Sequence, residues 1–172
     1  MKEKRNVITF QGSPLVLLGE EPKIGEKAPD FQALDTNLSP VSLSSLAGKS
    51  IVICSVPSLD TPVCDMQTRR FNQEATALGP KVEILTISMD LPFAQRRWCA
   101  AAGVERVRTL SDHRDASFGL AYGALIKELR LLTRAVFIVD PKGILKYAQW
   151  VKEITQEPDY QEVLKEIKAL IG

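Results

Sequence analysis

Hydrophobic positions along this chain fall into two kinds of segment, unbroken β-branched runs and stripes at helical spacing. Ser50–Val56 is such a run, ended by Pro57, and it reads as a strand buried on both faces with helices on each side of its sheet. Val82–Met89 and Arg134–Asp140 repeat that character. Between the first two, a helix is expected from Pro62 to the stop at Gly79-Pro80, with Val63, Met66, Phe71 and Leu78 as its apolar stripe. Pro92–Ala102 reads as a second helix, with proline at its start and Gly103 just past its end.

The flanks follow the same logic. Val7, Thr9, Leu15 and Leu17 surround the turn-rich Gln11-Gly12-Ser13-Pro14, so Asn6–Gly19 is expected to form a β-hairpin. Val41–Leu43 and Val107–Leu110 are short strand candidates, and a short helix is expected around Ala116–Tyr122. Ile144–Val151 should pair antiparallel with the Arg134–Asp140 strand through Pro141-Lys142-Gly143. In the last segment Tyr160, Val163, Leu164, Ile167 and Leu170 match an amphipathic helix. Together these elements predict an α/β fold in three layers, a mixed central sheet flanked by helices, with an N-terminal β-hairpin. Residues 1–172 are expected to form a single domain, residues 1–20 being the hairpin extension.

Composition narrows the function. A length of 172 residues suffices for a real core, and 45% apolar with 25% charged residues is ordinary for a globular protein. A net charge of +1 argues against nucleic acid or an anionic membrane as main partner. No apolar segment follows the charged start Met1–Arg5, and runs such as Ala135–Val139 are too short to span a bilayer. The three cysteines, Cys54, Cys64 and Cys99, are odd in number, widely spread and form no Cys-x-x-Cys pair. With His113 the only histidine, a zinc site has poor support, and the reducing cytoplasm is the expected compartment.

The candidate chemistry lies in Pro57-Ser58-Leu59-Asp60-Thr61-Pro62-Val63-Cys64. Thr61 suits an N-cap and Pro62 the first helical position. Cys64 then falls in the first turn, where unpaired N–H groups and the positive end of the helix dipole favour a thiolate. Cys64 is therefore a candidate nucleophile. Asp65 would oppose a thiolate if it faced the sulfur, and is expected to point toward solvent.

The pattern Pro57-x-x-x-Thr61-x-x-Cys64 after a buried strand resembles the peroxiredoxin active site. With Arg70-Phe71-Asn72, Asp90–Gln95 leading to Cys99, Leu132-Thr133-Arg134-Ala135 and Glu157-Pro158-Asp159-Tyr160, the whole chain resembles the bacterial thiol peroxidase subfamily, an atypical two-cysteine type. That resemblance implies a thioredoxin-like fold and a thiol-dependent peroxidase acting on hydrogen peroxide and organic hydroperoxides in antioxidant defence. It implies Cys64 as the peroxidatic cysteine, oxidised to a sulfenic acid, and Cys99 as the resolving cysteine, closing an intrachain Cys64–Cys99 disulfide that thioredoxin reduces. No metal, haem or flavin cofactor is needed for this chemistry, and a homodimer is expected.

For each residue a plainer reading stands beside the implied one. Thr61 either caps the helix or hydrogen-bonds the thiolate and peroxide. Arg134 is either the solvated end of a strand or a guanidinium beside the sulfur. Pro57 either shields the thiolate or merely ends its strand. Cys99 is either resolving or an inert neighbour of Trp98, and on a separate helix its sulfur lies too far from Cys64 unless both segments partly unwind, since bridged Cα atoms approach within about 7 Å. Cys54 is expected to be core packing. His113 is expected on a turn without a chemical role. Arg114 matches a position near the family's site. Phe93, Trp98 and Ala121-Tyr122 are candidates for a dimer surface or for core. Two other activities fit the thiols, a thiol–disulfide oxidoreductase, disfavoured without Cys-x-x-Cys, and a redox sensor or holdase.

Overall fold

The computed structural model describes all residues, 1–172. Its strands are β1 (Glu3–Phe10), β2 (Ser13–Leu18), β3 (Gln32–Leu34), β4 (Pro40–Ser42), β5 (Ser50–Ser55), β6 (Val82–Ser88), β7 (Val107–Ser111), β8 (Leu125–Ile126), β9 (Ala135–Val139) and β10 (Leu145–Trp150). Its helices are α1 (Pro62–Leu78), α2 (Pro92–Ala102), α3 (Ser117–Ala121) and α4 (Tyr160–Ile171). Seven strands form one sheet in the order β10-β9-β5-β6-β7-β3-β4, and β1, β2 and β8 form a second. β5, β6 and β7 are parallel while β9 runs antiparallel to β5, so the central sheet is mixed.

Alternation on β5 and β9 divides the core. Ile51, Ile53, Phe137 and Val139 face one side, where they pack with Phe118 and Tyr122 around α3. Val52, Cys54, Val136 and Ile138 face the other, packed by Phe71 and Ala75 of α1 and by Val163 and Ile167 of α4. Trp98 and Ala102 of α2 join this second side from its edge. The layers are those the pattern predicts.

Local departures have local causes. In β1 the register shifts between Lys4 and Ile8, at a bulge where Asn6 takes a positive φ of 62°. The bulge turns Ile8 into a small cluster with Leu15, Leu17, Ile126 and Ile154 and leaves Val7 exposed. The expected stripe on α1 holds only in its second half: Phe71 is buried and Leu78 packs beside it, but Met66 is exposed and Val63 only half-buried, and the inward face is Cys64, Gln67, Thr68, Phe71 and Ala75. Two polar residues on that face already mark the helix as more than a packing element. Leu43 begins a 3-10 turn rather than ending a strand, and β3 and β8 add short pairings that the pattern does not announce.

Candidate active site

β5 runs to Ser55, Val56 follows, and Pro57 turns the chain into a loop that a single carboxylate pins in place. Asp90 Oδ1 accepts from Ser58 Oγ at 2.7 Å, while Oδ2 accepts from the Leu59 N–H and Ser88 Oγ, both at 2.8 Å. The loop therefore enters α1 from a fixed direction. Thr61 does occupy the N-cap position, with extended φ and ψ of −96° and 145°, and Pro62 follows at the first helical position. Its hydroxyl does not cap: Oγ1 donates to the Ser58 carbonyl at 2.9 Å, because the loop folds that carbonyl back beneath it. The capping expectation for Thr61 is thus corrected, and the first turn of α1 has no side-chain cap.

Cys64 is fully buried and packs with Val56, Leu59 and the half-buried Trp98. Arg134 immediately precedes β9 and is 1% exposed, which removes its reading as a solvated strand end. Its guanidinium is spent entirely inside the protein. Nη2 donates to Cys64 Sγ at 3.1 Å, Nη1 to Gln67 Oε1 at 2.7 Å, and Nε to the Ile154 carbonyl at 3.0 Å. Gln67 is a site residue that the sequence reading missed. The available signal was its position three residues after Cys64, on the same helical face.

Ile154 is held from the N-terminal hairpin, its N–H donating to the Thr9 carbonyl at 3.0 Å. Beside it, Glu153 accepts from the Gly12 N–H at 2.8 Å and from Thr9 Oγ1 at 2.9 Å, and these bonds together with those from Thr155 lower its pKa to about 2. A cavity of about 320 Å³ opens where these segments meet, lined by Pro57, Thr61 and Arg134 and by the apolar side chains of Phe10, Leu131 and Ile154.

Asp65 is partly exposed, as expected, but its carboxylate is held by neighbouring side chains rather than free. Its carboxylate accepts from Trp98 Nε1 at 2.8 Å and from Arg69 Nε at 2.9 Å. Cys99 sits on α2, half-buried, with Sγ 3.5 Å from Thr109 Oγ1. All three thiols are free, so Cys64 and Cys99 are not bonded to one another here. Cys54 is buried in β5, and burial pushes its thiol pKa up, leaving it a core residue. His113 bonds Ser111 Oγ through Nδ1 at 2.9 Å. Arg114 pairs with Asp115 in the open, and none of its bonds reaches the Cys64 site. Phe93 is exposed, but Tyr122 is fully buried and donates to the Pro29 carbonyl, so Tyr122 belongs to the core rather than to any dimer surface.

A mixed sheet with helices on both sides, and a cysteine buried at the start of the helix after its central strand, defines the redoxin class. The family model described as Redoxin matches residues 23–164. The chain is 55% identical over 164 residues to the thiol peroxidase of Halalkalibacterium halodurans and 54% identical to that of Bacillus subtilis, each match covering 95% of this chain and 98% of the relative. The crystal structure of a peroxiredoxin-like protein from Aquifex aeolicus superposes with a TM-score of 0.89 at 38% identity, covering 95% of this chain and 96% of that one. The chain belongs to the bacterial thiol peroxidase family. Its activity is a thiol-dependent peroxidase of the peroxiredoxin type. No helix in it is long and apolar enough to cross a membrane.

Proposed function

We propose that Cys64 is the peroxidatic cysteine, that Cys99 resolves it, and that thioredoxin closes the cycle. The observation that carries the first assignment is the 3.1 Å bond from buried Arg134 to Cys64 Sγ. A guanidinium fixed by two further acceptors stabilises negative charge on sulfur and cannot drift from it. The Cys64 thiolate attacks one oxygen of the peroxide and the O–O bond breaks. The leaving oxygen takes a proton to depart as water or an alcohol, and Cys64 becomes a sulfenic acid.

Thr61 lines the same cavity, and its hydroxyl, which donates to the Ser58 carbonyl, retains lone pairs to accept from the hydroperoxide O–H. Pro57 shields the sulfur from bulk water. The apolar walls from Phe10, Leu131 and Ile154 fit the carbon chain of an organic hydroperoxide beside the smaller hydrogen peroxide.

Cys99 then attacks the Cys64 sulfenic sulfur, releasing water and leaving the intrachain disulfide, which a thioredoxin dithiol reduces. Both segments partly unwind for this step, because the sulfurs begin in different surroundings, Cys64 against Arg134 and Cys99 against Thr109. Reducing cytoplasm suits the three free thiols, and a homodimer would use the exposed apolar start of α2 at Leu91 and Phe93.

The test is mass analysis under non-reducing conditions after one equivalent of peroxide, applied to wild type, Cys64→Ser and Cys99→Ser. Expected are a Cys64–Cys99 disulfide in the wild type and a sulfenic acid on Cys64 in Cys99→Ser. A disulfide to Cys54 instead would overturn the resolving role, and an unoxidised Cys64 would overturn the peroxidatic one.

A further inference from the structure

The immediate neighbours of the two proposed redox cysteines are bonded to each other. Asp65 follows Cys64 on α1 and Trp98 precedes Cys99 on α2, and Trp98 Nε1 donates to Asp65 Oδ1 at 2.8 Å. Arg69 touches both members of the pair and also ties to the end of α2. Its Nε donates to Asp65 Oδ2 at 2.9 Å, its guanidinium lies 5.8 Å over the Trp98 ring centroid, and its Nη1 donates to the Ala102 carbonyl at 3.3 Å. The Trp98 indole also packs on the Val56, Leu59 and Cys64 cluster. Successive residues on a helix point about 100° apart. With the indole packed on the cluster that contains Cys64, the next side chain is turned elsewhere, and Cys99 Sγ lies against Thr109.

We propose that Asp65 and Trp98 are positioning residues forming a clamp that holds the peroxide-reactive dithiol conformation and sets the rate of resolution. The proposal rests on the reading of Cys99 as resolving cysteine. Cys99 reaches the Cys64 sulfur only after the indole leaves, and leaving breaks the Asp65 bond. The sulfenic acid formed on Cys64 then has two fates. Cys99 displaces its hydroxyl, giving the disulfide and water. Alternatively a second peroxide transfers an oxygen to the sulfur, giving a sulfinic acid and water or alcohol. A clamp that delays the first fate lengthens exposure to the second, so the strength of one hydrogen bond tunes how the enzyme fails at high peroxide.

Rapid-quench mass analysis of wild type, Trp98→Phe, Asp65→Ala and the double variant separates the two steps. Trp98→Phe keeps an aromatic ring at the Cys64 cluster while deleting the N–H together with part of the indole's bulk. Asp65→Ala removes the acceptor without touching the indole. A hydrogen bond to a charged group corresponds to about 10–150-fold in rate when fully broken, and this part-buried pair belongs at the lower end. Each single variant is therefore expected to form the disulfide about five- to tenfold faster and to accumulate correspondingly less sulfinic acid, with sulfenic acid formation changed by less than about twofold. The double variant should be no faster than the faster single one, because the two changes remove the same bond. Disulfide formation at the wild-type rate or slower in both single variants would overturn the clamp. Absence of any Cys64–Cys99 bond in the wild type would instead remove the resolving reading beneath it.

Discussion

Replacing Arg134 by lysine keeps the positive charge and removes the fork. In the native site the guanidinium serves three acceptors at once, Cys64 Sγ at 3.1 Å, Gln67 Oε1 at 2.7 Å and the Ile154 carbonyl at 3.0 Å, with 1% of the residue exposed. Lysine presents a single ammonium and cannot reach all three. Losing one preorganised donor at a centre of developing charge slows reactions by about 10²–10³-fold, or roughly 3–4 kcal/mol. Retained charge recovers part of this, so Arg134→Lys is expected to slow the attack on hydrogen peroxide by about 10–100-fold and Arg134→Ala by about 10²–10³-fold. Each stranded acceptor costs about 1–3 kcal/mol of stability as well. The assay is stopped-flow tryptophan fluorescence under pseudo-first-order peroxide, with denaturant unfolding of the same samples and ultraviolet thiolate absorbance alongside. Only the rate of folded protein counts. An Arg134→Lys protein reacting within about twofold of wild type would refute the argument, since neither fork nor fixed geometry would then matter.

Two further outcomes follow from other side chains. Thr61→Ser keeps the hydroxyl and is expected to retain most peroxidase activity, whereas Thr61→Val should lose about 10²-fold, and similar near-normal rates for both in coupled peroxide-consumption assays would sink its role. Asp112 is buried and accepts from the Phe118 and Gly119 N–H groups, and burial raises its pKa from 3.8 to about 6. A carboxylate raised on folding adds stability that is complete below its unfolded pKa and is lost as pH rises through the folded value. About two units correspond to roughly 3 kcal/mol, so wild-type stability should fall from this group between about pH 4 and 6, and denaturant midpoints of Asp112→Asn should show a flatter slope across that window. Parallel slopes would show that Asp112 is not the titrating group.

The elements around Cys64 were legible because the chain punctuates them. Thr61-Pro62 opens α1, and the span Pro92–Ala102 matches α2 at both ends, where Pro92 sits at the first position and Gly103 takes a left-handed φ of 65°. β3 and β8 were not legible, since their few residues are strands only through distant partners such as Leu34 with Ser111 and Leu17 with Ile126. The α1 face was misread for a related reason. An apolar-stripe search rewards Val63 and Met66, whereas the helix buries Gln67 because a buried guanidinium needs its oxygen. Thr61 carried a general capping preference, and the particular path of the loop through Ser58 overrode it. The bond between Asp65 and Trp98 joins positions 33 residues apart and has no trace in local pattern.

Reactivity and reachability run in opposite directions in this fold. Cys64 is fully buried, while Cys99 retains partial exposure. On the reading proposed above, a peroxide enters through the cavity lined by Pro57 and Thr61, whereas a bulky maleimide or iodoacetamide dye must bring its whole body to the buried thiol it marks. Dye-based profiling of the reduced protein would therefore tag Cys99 and pass over Cys64. Ranking these cysteines by labelling yield would invert their order in the reaction proposed for them.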